Sequence, residues 1–316
     1  MNKMSQPSSN RQGVEIHLSV LASGSGGNCT YINFSKSTTI QNSSSFLIDL
    51  GIGPRTLHQR CRSLGIFPQT IRFIVLTHTH SDHWNERSFS FLLQNKIIFY
   101  CHRDHSEELS SMSDRFRQLM KANLIRHYSN DEDFSPTPGL IVRAKHVPHD
   151  RSPTFAFQMQ FSANPRTSSS SQGVQGVHLG YATDLGNFPD SLIDFFRNLD
   201  LLLLEFNHDI QMLRNSNRPD FLINRILSGE GHLSNHQACE FLKKIIEKSD
   251  ERKLRYLFQL HLSRDCNLPE IAHKEATNVL NNLMMQTDIF TAHQNIPTPL
   301  LFLENLSTSH STHSSS

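Results

Sequence analysis

The segment "LTHTHSDHW", residues 76 to 84, places His78, His80, Asp82 and His83 within six positions. Packed into a core, each of these side chains needs polar partners, because an unpaired imidazole or carboxylate is costly to desolvate. In a solvated loop the same density of histidine is unusual. Metal ligation is the third reading, and the rest of the chain supports it. His149 and Asp150 follow in "PHD", and Asp184 in "TDLG". Glu205, Asn207, His208 and Asp209 lie in "EFNHD", His232 in "GHLSN" and His261 in "HLSRD". Imidazoles mixed with carboxylates suit zinc, iron or manganese better than calcium or magnesium, which take oxygen ligands. Two neighbouring cations need a bridging carboxylate and more ligands than one segment supplies. Histidines 78, 80, 83, 149 and 261, with Asp82 and Asp184, are of the right type and number. Water held between two such cations loses a proton near neutral pH and becomes a nucleophile for a carbonyl or phosphoryl centre.

These polar residues stand just past apolar runs. Apolar and alternating patterns predict strands at about 14–22, 46–51, 71–77, 96–101, 140–147, 154–161, 176–183, 199–206 and 254–263. Helical spacing marks 54–64, where Leu57, Cys61 and Leu64 share a side, and about 188–197, 219–228, 234–247 and 269–285. "TFAFQMQF" should pair with "GVHLGYAT" across a serine-rich insertion at 163–175, and the polar "SKSTTIQNSSS" reads as a hairpin loop. Strands lead each half, with helices between and after them, so a layered α/β domain is expected, with function at the strand ends. Beyond this coarse likeness of the two halves there is no internal repeat.

Composition sets the outer bounds. The 316 residues are 37% hydrophobic and 9% aromatic, which suits a substantial core, and the formal net charge is +1. A near-neutral chain neither excludes nor advertises a polyanionic partner. Cys29, Cys61, Cys101, Cys239 and Cys266 are odd in number and form no CxxC pair, so they read as reduced thiols. The first thirteen residues lack the apolar run of a signal peptide. No window approaches the roughly 18 apolar residues of a membrane span. The expectation is a soluble cytoplasmic protein without membrane contact. Residues 1–13 should be a disordered extension, 14–304 the hydrolase domain, and 305–316, rich in Ser, Thr and His, a disordered tail.

Taken in order, these motifs resemble the metallo-β-lactamase superfamily, whose HxHxDH signature is matched by His78, His80, Asp82 and His83. The resemblance implies an αββα sandwich: two mixed β-sheets packed together, with helices on both outer faces. It implies two divalent metal ions, Zn²⁺ or Mn²⁺. One would be held by His78, His80 and His149, the other by Asp82, His83 and His261, with Asp184 bridging. The likeness is closer to the YycJ/WalJ-like branch, in which "SGSxGNC", "ENHD", "GHLSN" and "HLSxENN" are expected. This chain has "SGSGGNC" (23–29), "EFNHD", "GHLSN" and "HLSRDCN". It departs at Phe206, Asp265 and Cys266, and has "THTH" where the branch has "THEH". By the same likeness to nucleic-acid-cleaving members, Glu205 and His232 would assist proton transfer, and with Asp82 they are the residues expected to serve the reaction.

The activity implied is phosphodiester hydrolysis of nucleic acid, with DNA favoured and 5′ to 3′ exonuclease character. The alternative is a small-molecule hydrolase of esters, thioesters, lactones or cyclic nucleotides, and a third reading is a metal-binding protein without catalysis. Some blander readings stay open. His232 could merely line a turn that Ser234 caps, and Glu205 and His208 could belong to a structural hydrogen-bond network. The "SGSGGN" turn could cradle a phosphate or bring backbone close to the metals. His102, His105, His127, His146 and His236 read as surface residues or supports behind the ligands. The basic polar side of 240–255 reads as a solvated helix face.

Overall fold

The computed structural model describes residues 13–36, 43–150, 153–163 and 176–306. Most of the expected N-terminal extension, residues 37–42 of the polar loop, the serine-rich insertion from 164 to 175 and the tail from 307 lie outside the described residues.

The first sheet runs in space as β14 (Leu301–Leu306), β1 (Gly13–Ala22), β2 (Cys29–Lys36), β3 (Ser44–Ile48), β4 (Ile71–Val75), β5 (Ile98–His102) and β6 (Ile125–Tyr128). The second runs as β13 (Asp288–Thr291), β12 (Tyr256–Leu260), β11 (Leu201–Glu205), β10 (Val177–Ala182), β9 (Thr154–Phe161), β8 (Leu140–Val147) and β7 (Asp133–Thr137). Both are mixed. Neighbours are antiparallel from β14 to β3 and from β7 to β10, then parallel from β3 to β6 and from β10 to β13. The coarse likeness of the two halves is therefore a repeated strand plan, and the chain closes by returning its last strand to the edge of the first sheet.

The parallel strands are connected through helices, as parallel crossovers require. Over the first sheet lie α1 (Pro54–Ser63), α2 (Glu86–Asn95), α3 (Arg103–Met112) and α4 (Asp114–Lys121). The connections of the second sheet contain α5 (Asp190–Phe195), α6 (Ile210–Arg214), α7 (Asp220–Ile226), α8 (Asn235–Lys248) and α9 (Pro269–Asn282). The run "LLLLE" of β11 shows why a strand between two layers has no polar face. Leu201 and Leu203 join the cluster between the sheets, while Leu202 and Leu204 join the cluster under α8 and α9. In the first sheet Phe73 and Val75 face inward, and Ile71 and Ile74 face the helices. The expected pairing of 154–161 with 176–183 is present, with Phe161 opposite Val177 and Phe157 opposite Tyr181.

Several strands stop earlier than the apolar runs suggest, for one reason. Asp49, Asp184 and His261 adopt left-handed backbone (φ 58°, 56° and 55°), which ends β-pairing where each strand leaves the core. Strands β2, β6, β7, β13 and β14 and helices α2 to α4 and α6 were not expected from the sequence, although α4 buries Phe116 and Leu119 on one side behind a Ser113 cap. β6 and β7 are short edge strands with exposed charge and Pro136. In α3 only His105, Ser106 and Leu109 are buried.

Phe157 is fully buried between the sheets. Phe157→Ala should lower unfolding stability by about 3–5 kcal/mol, measured by denaturant titration. A loss under about 1 kcal/mol would show that the inter-sheet layer is not the stabilising core.

Candidate metal centre

In sheets with parallel strands, ligands gather beyond the carboxyl ends. Here both sheets deliver polar residues to one such edge. The first sheet supplies Asp49 after β3 and His78, His80, Asp82 and His83 after β4. The second supplies His149 after β8, Asp184 after β10, Glu205 at the end of β11, His261 after β12, and His232 just before α8. All seven proposed ligands meet there. Nitrogens of His78, His80 and His149 come within 4.8 Å of one another, as do ligand atoms of Asp82, His83 and His261. A third such group joins His78, His83 and Asp184, so Asp184 lies between the other two. Its Oδ2 is 3.2 Å from His83 Nε2, and its Oδ1 is 3.4 Å from His261 Nδ1 and 3.8 Å from His149 Nε2.

The imidazoles themselves show that cations fit. His78, His149 and His261 are buried, and the Nε2 of each lacks a hydrogen-bond partner. In each ring the other nitrogen is engaged. His149 Nδ1 donates to Gly231 O at 2.9 Å, and His261 Nδ1 lies 2.9 Å from Glu205 Oε1. His78 Nδ1 lies 3.0 Å from Thr77 Oγ1, whose proton goes to Asp49. When Nδ1 carries the ring's single proton, Nε2 presents a lone pair, the arrangement that outer partners impose on metal-binding histidines. Burial pushes His78 well below the ordinary imidazole range and lowers His80, which favours the neutral ligand form. On the other side burial disfavours charge on His83 and His261, but the carboxylates around them outweigh it and raise both well above their usual values. The first group is made of imidazoles, and the second is rich in carboxylate.

Sequence reasoning missed the groups that hold these ligands. Asp49 is fully buried and takes His83 Nδ1 at 2.7 Å together with the N–H and hydroxyl of Thr77 at 2.8–3.0 Å. The available signal was a carboxylate ending the apolar run "FLIDLG". Asn28 donates from its amide N to Asp82 O at 2.7 Å and from Nδ2 to Asp82 Oδ2 at 3.0 Å. Ser23 Oγ accepts the N–H of His261 at 2.7 Å. In the "SGSGGN" turn, Gly24, Gly26 and Gly27 spend their N–H groups on Asn28 Oδ1, Gln294 Oε1 and Gly24 O. The turn positions ligand loops, and those amides are not left for a phosphate. Gly51 allows the closest approach: a Cβ there would sit 1.7 Å from Asp82 O.

Glu205 is fully buried and answers four donors. Its Oε2 accepts from Leu185 N and Leu233 N at 3.0 and 3.1 Å, and its Oε1 lies 2.8 Å from His232 Nδ1 and 2.9 Å from His261 Nδ1. Burial opposes the Glu205 anion, but His232 and His261 outweigh it and hold the carboxyl down at about 2. His232 is raised in return, Glu205 overcoming burial. Ser234 does cap α8, in a capping box with Gln237, and His232 also lines a cleft of about 270 Å³ with His80, Asp82, His149, Asp184 and His261. His208 is fully buried outside this cleft, with Nδ1 3.3 Å from Asn207 Oδ1. Of the histidines expected at the surface or behind the ligands, His105 is fully buried, because it closes the capping box of α3 and lies 2.6 Å from Pro153 O.

Two stacked mixed sheets with this histidine–carboxylate cluster at their shared edge define a metal-dependent hydrolase of the metallo-β-lactamase kind. Residues 45–253 match the β-lactamase superfamily domain, and the chain belongs to that family. It is 25% identical over 272 residues to the exodeoxyribonuclease WalJ of Streptococcus pneumoniae serotype 2 (strain D39 / NCTC 7466), across 84% of this chain and 89% of that one. Against the exodeoxyribonuclease YycJ of Bacillus anthracis it is 26% identical over the same length and shares. Zn²⁺-bound PqqB from Methylobacterium extorquens superposes with a TM-score of 0.58 at 15% identity, over 89% of this chain and 99% of that one, and shows the shared fold.

Asp49→Asn should weaken divalent-metal affinity about 10- to 100-fold, the usual cost of removing an outer partner of a ligand. Gly51→Ala should do at least as much by displacing Asp82. Both are read by metal titration of folded protein, and wild-type affinity in either would show that Asp49 and the close approach at Gly51 do not position the ligands.

Proposed function

We propose that this chain is an exonuclease that hydrolyses phosphodiester bonds of DNA from a 5′ end, using two divalent metal ions, zinc or manganese. One observation carries the reading: His80, Asp82, His149, Asp184 and His261 of the dense ligand cluster share a cleft with His232, which the buried Glu205 holds from behind. His78, His80 and His149 would hold one ion, Asp82, His83 and His261 the other, with Asp184 between them. When bound, the ions would supply Lewis acidity and an activated water.

The remaining work falls to the chain. Asp82, kept ionised with its pKa far below the usual carboxylate range as His261 and His83 outweigh burial, fixes negative charge at the second group. Glu205 holds His232 by Nδ1, which leaves His232 Nε2 for the cleft. There it delivers a proton to the departing ester oxygen as a general acid. Relatives named as exodeoxyribonucleases along most of the chain support nucleic acid as substrate and DNA as the form. Five free, buried cysteines support a reducing cytoplasmic setting. Among the described residues no helix is long and apolar enough to cross a membrane.

With metal restored, 5′-phosphorylated DNA should be degraded faster than RNA or small esters. His232→Ala should lower kcat by roughly 10²- to 10⁴-fold with metal content unchanged. Rapid turnover of a thioester or lactone with no polynucleotide cleaved would move the protein to small-molecule hydrolysis. Loss of a metal equivalent in His232→Ala would make that residue a ligand instead of an acid.

A further inference from the structure

The connection between β11 and α8 builds one wall of the cleft. Leu222 and Ile226 of α7 line it, and Ile226 packs with Leu213 and Cys266 in a small apolar cluster of its own. Arg218 and Arg225 line the same cleft as His80, His149, Asp184 and His261. Phe221 stands four residues before Arg225, on the same side of the helix, and is 74% exposed. A large aromatic with that exposure contributes little to the core, and each arginine pairs with one carboxylate. Arg218 reaches Asp265 at 3.4 Å, and Asp265 is 72% exposed. Arg225, itself 61% exposed, pairs with Asp150. In each pair one member stays in solvent, Asp265 in the first and Arg225 in the second, while Arg218 is 29% and Asp150 22% exposed, so a better anion can compete for either guanidinium. Phosphate is such an anion, because a guanidinium grips it through two parallel N–H bonds. Asp150 and Glu230 share the wall, so the guanidiniums are the groups there that answer a phosphate.

We propose that this wall receives a single-stranded end of nucleic acid, with Arg218 and Arg225 on the phosphates flanking the scissile one and Phe221 stacked on an unpaired base. The proposal rests on the nuclease reading above. It also removes a difficulty in that reading. A chain of net charge +1 has little excess charge to spread along a duplex, and two arginines beside the reacting centre place cations where a strand end arrives. Stacking on an exposed ring is tolerant of sequence, since every base has a π-face.

The test is binding and cleavage of a single-stranded oligonucleotide across a salt series. Anisotropy is read on a labelled phosphorothioate strand that resists cleavage, with metal-loaded protein. Arg218→Ala/Arg225→Ala should weaken binding at least tenfold and flatten the slope of log K against log salt by about 0.7 for each phosphate left without its arginine. Lysine at both positions should restore the slope but not the full affinity. Phe221→Ala should weaken binding about tenfold and leave the salt slope intact. Wild-type binding and slope in the arginine pair, with its melting temperature maintained, would overturn the assignment to this wall while leaving the nuclease reading in place. A wild-type protein that neither binds nor cuts the oligonucleotide would overturn both.

Discussion

Among the described residues four buried imidazole nitrogens lack hydrogen-bond partners, and the three that belong to one cluster, on His78, His149 and His261, are the constraint around which the molecule is organised. Each such group costs about 1–3 kcal/mol if nothing answers it, and the backbone bears further strain to bring them together. Asp49, Asp150, Asp184 and His261 are all left-handed at the ends of strands, where an L-residue loses about 1–2 kcal/mol. A chain selected for stability alone would place none of these groups there. The cost is offset behind the site, where Leu201, Leu203, Phe157 and Phe258 fill the space between the sheets with closely packed apolar side chains.

The two sheets contribute differently. The first supplies the histidine-rich loop and Asp49, and the second supplies Asp184, Glu205 and His261. Each proposed group of ligands draws on both sheets, His149 completing one and His261 the other, so the cluster exists only when the sheets are in register. Small interactions maintain that register. Ser23 from the first sheet accepts the N–H of His261 from the second, and Gln294 clasps the turn between β1 and β2 through Gly26 N and Gly27 O. Thr298 binds the backbone N–H of Val20, so the returning end of the chain steadies the same turn.

What could be read from the sequence followed from chemistry concentrated in short segments. His78, His80, Asp82 and His83 declare themselves by density, and His149, Asp184 and His261 by their place after apolar strands. Glu205 was visible as a carboxylate ending "LLLLE", but its grip on two imidazoles and two backbone amides depends on three separate loops. Asp49 and Asn28 were overlooked because each is a single ordinary residue whose partner, His83 or Asp82, lies more than thirty positions away. The inner strands were legible where both faces are buried, as in β4 and β11. The edge strands β6, β7 and β13 were not, because a short strand with one neighbour needs little hydrophobic pattern to be held in place.

The central claim is that the converging lone pairs exist to hold two cations. Its most direct test is metal analysis of protein purified without chelator, followed by titration of the chelated protein with Zn²⁺ and with Mn²⁺. The account predicts about two equivalents bound per chain, with His149→Ala losing one and His83→Ala losing the other. A folded wild-type protein that binds less than one equivalent of either ion would contradict it.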